Sequence, residues 1–486
     1  MGNVLKGLCS LLLSLAVAAP TTAQGLADHR DVQAGIFLAN AWLENRLNYD
    51  RVPGASIAVV ADQETVWAEG FGYARLRGKV PATTDTRYSI CSVSKLFTSL
   101  GVMQLRDAGK LDLDAPLDQL LPWYDLPPHA DAEEPVTLRN ILSHVAGLPR
   151  EAVTPYWVEE DFPARGTLQE GVGEQAALYR PYERFQYSNL GMSLAGEAIA
   201  AASGEDYHAY VRDNILTPLG MDATSSELPV ADYGKGFAAG YRLPDDRGKR
   251  PEVGKYTLNG IAPAAGFASS VNDLARFAKW QFRLLENGGE EVVKATTLRE
   301  MQRLQWAEPD MDGANWGLGF SLSKVGDEIW VGHGGYCPGY RTSFLLRPQD
   351  RVAVAMMANV NDVSPGNLVR QVVALMGPGL EAAAGAEEGD DGADEAQDFS
   401  AYQGIYGRRL MPTNYALAAT SKGLTGISLY SDTPADYKLD LRHEEGHVFR
   451  VYSKKDEPLH TVRFEVDEDG RATRMWLHGQ YADRLD

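Results

Sequence analysis

The sequence predicts an α+β domain followed by a small all-β domain, and three observations carry that expectation. Strand-like runs begin near residue 53 and return at 317–346, with a mostly helical middle reaching about residue 285. Residues 380–398 carry eight acids and no Lys or Arg, with Ala and Gly filling most of the rest. Beyond them, short runs of alternating apolar residues separated by turns fill 399–486.

Taken in order, residues 1–23 read as a signal peptide: Lys6, an apolar run from Leu8 to Ala19, then the small residues Thr21-Thr22-Ala23. The expected location is periplasmic or secreted, with no integral membrane segment after cleavage. The main domain is expected over 28–376. It opens with Pro53-Gly54-Ala55-Ser56-Ile57-Ala58-Val59-Val60 and a second run through Val66-Trp67. Early and late strands around helices suggest one sheet completed by both ends of the domain.

Ser92 opens a segment with apolar residues at Val93, Leu96, Phe97, Leu100 and Met103, closed by Gly109. This spacing predicts a helix with a glycine cap. Lys95 then shares a face with Ser92 one turn on and can reach its hydroxyl. Ser92 itself lies at the helix N-terminus, where free N–H groups favour negative charge. A second S-x-x-K, Ser321-Leu322-Ser323-Lys324, sits in a strand-like run that would point Ser321 and Lys324 to opposite faces, so it is read as structural.

Gly377-Pro378-Gly379 is expected to end an apolar helix, and 377–398 to form a self-repelling acidic linker. In 399–486, Val462, Phe464 and Val466 alternate with Arg463 and Glu465 before a turn at Asp467-Glu468-Asp469-Gly470, which predicts a small antiparallel barrel or sandwich. His443-Glu444-Glu445-Gly446-His447 matches the H-E-x-x-H zinc pattern. That chemistry needs a helix to aim both imidazoles at one metal. Gly446 and the strand-like flanks predict a hairpin turn instead, so no metal site is expected.

The composition, 44% apolar and 23% charged, is that of a soluble globular protein. A formal net charge of −20 argues against nucleic-acid binding and against anionic membrane surfaces. After cleavage only Cys91 and Cys337 remain, which excludes a disulfide scaffold. They read either as a pair near the site or as two small buried hydrophobes.

Ser92-x-x-Lys95, Tyr187-Ser188-Asn189 and His333-Gly334-Gly335 occur in that order. Val52-Pro53-Gly54-Ala55, Leu142-Ser143-His144-Val145-Ala146-Gly147-Leu148-Pro149, Pro218-Leu219-Gly220-Met221 and Gly317-Leu318-Gly319-Phe320 accompany them. With these residues the chain resembles the serine β-lactamase and penicillin-binding protein superfamily, on the class C side, over most of 30–375. Tyr402-Gln403-Gly404-Ile405-Tyr406 after the acidic segment resembles members with a C-terminal lipocalin-like barrel. The resemblance implies a β-lactamase-like antiparallel sheet with a helical domain, followed by that barrel.

It also implies roles. Ser92 would attack the carbonyl, Lys95 would take its proton or keep a neighbouring base deprotonated, and Tyr187 would shuttle a proton to the leaving group. Asn189 would hold Lys95 or the substrate amide. The backbone N–H groups of Ser92 and Tyr336 would form the oxyanion hole. Gly334 and Gly335 would leave room for substrate backbone. His333 stands where β-lactamases carry Lys, which weakens the β-lactamase reading. His144 is expected to be a packing or capping residue. The implied function is an exported serine hydrolase acting on a small-molecule or peptide substrate with an amide or ester bond, a peptidase or amidase, with no cofactor. A carboxylesterase, a weak β-lactamase and a non-catalytic penicillin-binding sensor are the alternatives. The barrel is expected either to cover or shape the active-site mouth or to serve as an oligomerisation or stability module.

Overall fold

A computed structural model describes residues 25–152, 155–309, 313–325, 328–387, 397–408 and 414–486. The expected signal peptide and the centre of the acidic linker lie outside the described residues. Helix α1 (Arg30–Tyr49) leads into β1 (Gly54–Ala61), β2 (Glu64–Arg75) and the short β3 (Val80–Pro81). Three long helices follow: α2 (Ser94–Asp107), α3 (Asn189–Ser203) and α4 (Val271–Asn287). The late strands are β4 (Asn315–Trp316), β5 (Ser321–Val325), β6 (Glu328–Cys337), β7 (Tyr340–Arg347) and β8 (Val352–Ala358), before helix α5 (Pro365–Glu387).

These strands form one antiparallel sheet in the order β3-β2-β1-β8-β7-β6-β5-β4. Both ends of the domain do complete it: β1 pairs with β8, placing Ile57 opposite Met356. All eight residues of β1 are buried, because helices cover both faces. Alternation along the strand divides the work. Ala55, Ile57 and Val59 pack with α1 and α5, whereas Ala58 and Val60 face the core of α2 and α4. The middle is less helical than its sequence suggests. Between α2 and α3 the helices span four to seven residues (Leu117–Leu120, Leu138–Leu142, Tyr156–Glu159, Arg165–Gly171). Prolines such as Pro116, Pro122, Pro127, Pro135 and Pro155 recur through this stretch and stop longer runs.

Gly377-Pro378-Gly379 does not end a helix, as the sequence led us to expect; α5 runs through it to Glu387. Two contacts explain this. A Cβ on Gly379 would lie 2.2 Å from the Asp31 carbonyl oxygen, so this glycine marks a close approach of α5 to α1. Pro378 has no N–H for the carbonyl of Ala374. Lys438 supplies the donor, its Nζ reaching the Ala374 oxygen at 2.9 Å and the Leu375 oxygen at 3.4 Å.

Eight strands from Gly404–Gly407 to Gln480–Arg484 close a barrel, consecutive strands pairing antiparallel and the last returning to the first. Its interior is packed by Tyr402, Tyr406, Phe449 and Phe464, with ring centroids as close as 4.9 Å. The H-E-x-x-H pattern lies on the hairpin between Leu439–Glu445 and Val448–Tyr452. There the His447 imidazole pairs with the Tyr402 hydroxyl at 2.8 Å. Among the described residues, no group of three or more His, Cys, Asp or Glu could hold a metal ion. Nor, among them, is any helix long and apolar enough to cross a membrane.

The barrel sits on α1 and α5. Ala416, Ala418, Ile427 and Leu429 join their core, and the Trp42 indole donates to the Ser431 carbonyl at 2.9 Å. Its position differs from the one expected if it covered the mouth: among the described residues, none from the barrel lines the cleft that holds Ser92.

Candidate active site

Ser92 sits in a single 3-10 turn, Cys91–Val93, that runs directly into α2. Cys91 has φ 52, in the left-handed region that a non-glycine residue adopts at a cost, and the turn is pinned on several sides. The Ser94 hydroxyl bonds the Cys91 carbonyl and accepts from the Phe267 N–H. A disulfide joins Cys91 to Cys337 on β6, with Cα atoms 5.6 Å apart. A Cβ on Gly335 would lie 2.4 Å from the Ile90 carbonyl oxygen. Gly335 is therefore a packing glycine that lets β6 close on the Ser92 turn. Gly334 is the open one, the nearest atom to its Cβ position lying 3.8 Å away. The open space along this strand lies at Gly334.

The three motifs converge. Lys95 is fully buried, and its Nζ lies 3.2 Å from Ser92 Oγ, 2.8 Å from Asn189 Oδ1 and 2.7 Å from the Ala264 carbonyl oxygen. It also lies 4.8 Å from the centre of the Tyr187 ring. Burial pushes the Lys95 amine well below its ordinary pKa; Glu151 opposes the shift and Arg150 adds to it. When the amine is neutral, its two N–H groups can donate to Asn189 and Ala264, and its lone pair is left for the Ser92 hydroxyl. Tyr187 moves the other way: desolvation raises its pKa, while a hydrogen bond with Ser92 and the charge of Arg150 pull against it. In the free protein the tyrosine is thus a neutral phenol.

Ser188 explains the local fold of the second motif. Its Oγ caps α3 by accepting from the Gly191 N–H at 2.8 Å and donates to the Pro149 carbonyl at 2.7 Å. His144 Nδ1 accepts from the Ser188 N–H at 3.2 Å, and its ring lies 4.3 Å from that of Tyr187. His144 therefore packs and orients the tyrosine. His333 is only 4% exposed, and burial first, then Lys95, pushes its imidazole down to about 3. It is neutral at ordinary pH and supplies no cation. Trp316 lies between the imidazoles, 5.1 Å from His144 and 5.4 Å from His333.

The cleft around Ser92 has a volume of about 570 Å³. Asn189, Tyr187, Gly335 and Tyr336 line it, and β6 pairs with β5 only as far as Gly332. Residues beyond Gly332 present a strand edge to the cleft. Five further charged residues that sequence reasoning missed line the same cleft: Arg150, Glu151, Glu160, Arg242 and Arg341. Arg150 and Glu151 directly follow the quoted Leu142–Pro149 stretch, which was their one available signal. Ser321 and Lys324 lie on β5, where the Ser321 hydroxyl bonds the Gly332 carbonyl, so the second S-x-x-K is structural.

A buried lysine on a serine, beside a neutral phenol and an open strand edge, is a serine hydrolase-type pocket on a β-lactamase-like fold. Residues 39–375 match the Beta-lactamase family, and the chain belongs to it. Protein flp of Staphylococcus aureus (strain N315) is 25% identical over 331 residues, covering 68% of this chain and 64% of that protein. Beta-lactamase-like protein 2 of Dictyostelium discoideum is 29% identical over 306 residues, covering 60% of this chain and 53% of that protein. The chain thus spans less than two thirds of the length of these curated relatives. The octameric penicillin-binding protein homologue from Pyrococcus abyssi superposes with a TM-score of 0.62 at 24% identity, covering 90% of this chain and 96% of that one. At that identity the likeness speaks to the fold alone. Family membership supports a serine hydrolase-type function at the level of the superfamily.

Proposed function

We propose that this protein is an exported serine hydrolase that cleaves amide or ester bonds through an acyl-enzyme on Ser92, acting as a peptidase or amidase. The observation that carries the reading is the Lys95 amine, buried and 3.2 Å from Ser92 Oγ with its other two partners both acceptors. Lys95 takes the Ser92 proton as Oγ attacks the substrate carbonyl. The developing oxyanion is met by the backbone N–H groups of Ser92 and Tyr336. Tyr187 hands its proton to the leaving group and is reprotonated from Lys95, which leaves the acyl-enzyme for water.

The cleft supports a substrate with a negative charge. His333 cannot supply the counter-charge, but Arg341 can. Its guanidinium lies 4.6 Å over the Tyr336 ring, with Nε donating to the Asn361 carbonyl at 3.2 Å. Export is supported by the apolar N-terminal run and by the Cys91–Cys337 disulfide, since such bonds persist in oxidising compartments. Turnover of D- and L-aminoacyl p-nitroanilides beside p-nitrophenyl esters tests the substrate class. Cleavage of an anilide, abolished by Ser92→Ala, supports the amidase. Cleavage of esters alone favours the carboxylesterase alternative.

A further inference from the structure

We propose that Glu151 is a positioning residue for this reaction, locking the Asn189 amide so that the Lys95 lone pair points at Ser92. The inference rests on Ser92 being the nucleophile. Glu151 Oε1 accepts from Asn189 Nδ2 at 2.7 Å and forms an ion pair with Arg150 Nε at 3.2 Å, and Oε2 accepts from the Tyr156 hydroxyl. A carboxylate can only accept. The amide nitrogen of Asn189 must therefore face Glu151, and its Oδ1 must face Lys95. Asn189 is 3% exposed, so no solvent stands by to satisfy the reversed orientation.

The consequence falls on Lys95. With Asn189 Oδ1 and the Ala264 carbonyl fixed as acceptors, both N–H groups of the neutral amine are committed and the lone pair is left for the Ser92 hydroxyl. If the amide turned over, Asn189 Nδ2 would donate to that lone pair and take the base away from the nucleophile. The side chain of Glu151 is 23% exposed at the cleft wall, and nothing in the arrangement has it touch the reacting atoms.

Its charge matters as well as its shape. The ionisable groups around Lys95 are Glu151 and Arg150 from the segment after Pro149, His144, Tyr187 ahead of α3, and His333 on β6. Glu151 is the one anion among them, and it raises the proton affinity of Lys95 while Arg150 lowers it.

Glu151→Gln and Glu151→Leu separate the two effects. Each is made in the full chain and assayed with p-nitrophenyl butyrate for kcat and KM, and with a fluorophosphonate for the labelling rate of Ser92. Leu removes the acceptor, and kcat is expected to fall on the order of 100-fold with little change in KM. Gln can still accept from Asn189 through its own oxygen, so kcat is expected to stay within about tenfold of the parent. The base is active when neutral, so activity rises with pH through the Lys95 pKa. Removing the negative charge lowers that pKa, and the acid limb of kcat/KM should move to lower pH in Glu151→Gln. An unmoved limb in Glu151→Gln, or an unchanged kcat in Glu151→Leu, overturns the proposal. Should Glu151→Leu fail to fold, the limb of Glu151→Gln decides alone. Ser92→Ala run in parallel keeps the two readings apart: full activity there removes the nucleophile, whereas a dead Ser92→Ala beside unaffected Glu151 variants removes only Glu151.

Discussion

Lys438 of the barrel donates 2.9 Å to the carbonyl of Ala374, the acceptor that Pro378 leaves without a helical partner. The half-buried ammonium is pushed down to about 8, chiefly by desolvation and secondarily by Lys454. One residue of the second domain thus repairs a defect in the last helix of the first, and that helix begins at the cleft with Pro365.

Lys438→Met should lower stability by about 1–3 kcal/mol, the range for leaving a buried acceptor without a partner. Pro378→Ala restores the missing N–H, so Lys438→Met should cost less in that background. A double-mutant cycle on urea midpoints reads the coupling, and strict additivity would show that Lys438 does not serve the orphaned carbonyl.

Gly335→Ala should be damaging at a position that carries no side chain. The new Cβ would meet the Ile90 carbonyl at 2.4 Å and Cys91 Cβ at 3.1 Å. Relief requires β6 to move away from the Ser92 turn, at about 1–3 kcal/mol of overpacking. Activity should fall on the order of 100-fold. Gly334→Ala, with only one atom near, should be tolerated by the fold, as thermal melts of both variants would report.

His333 fixes a pH dependence of stability. Its folded pKa, about 3, lies below the ordinary 6.5. Above pH 6.5 both states are neutral and nothing is lost. As pH falls from 6.5 towards 3 the unfolded chain binds a proton that the folded protein refuses, so stability declines across that window. Urea midpoints at pH 7 and pH 4.5 should differ less in His333→Gln than in the parent. Equal differences would mean that the imidazole is protonated in the folded protein.

Reduction of Cys91–Cys337 should destabilise the Ser92 turn, which the bond ties to β6. Replacing both residues with Ala should cost about 2–4 kcal/mol, the usual range for a native disulfide. Thiol titration of the denatured, unreduced protein checks the bond first: two free thiols from these positions would refute it.

The motifs were legible because their chemistry is local. Ser92 and Lys95 share one helical turn, and Tyr187-Ser188-Asn189 carries its own helix cap. The two-ended sheet and the β-rich C-terminal domain were legible from alternation. What escaped reading depends on distant neighbours. Gly377-Pro378-Gly379 reads as a break until Lys438 and Asp31 are seen against it. Gly335 reads as substrate room until Ile90 is placed beneath it. Arg341 carries no periodic or motif signal, and Glu151 only its place directly after the Leu142–Pro149 stretch, since a loop and a cross-strand pair bring them to the cleft. The barrel's seat on α1 and α5, away from the cleft wall, depends on apolar faces that no segment reveals by itself.

The most direct test is peptide mapping by mass spectrometry after fluorophosphonate treatment, with ester turnover measured in parallel on the parent and Ser92→Ala. A single adduct on the peptide containing Ser92, absent from Ser92→Ala, with turnover reduced about 10⁴-fold or more in that variant, is the expected result. Turnover by Ser92→Ala at the parent rate, or an adduct on another residue, would contradict the assignment of Ser92 as nucleophile.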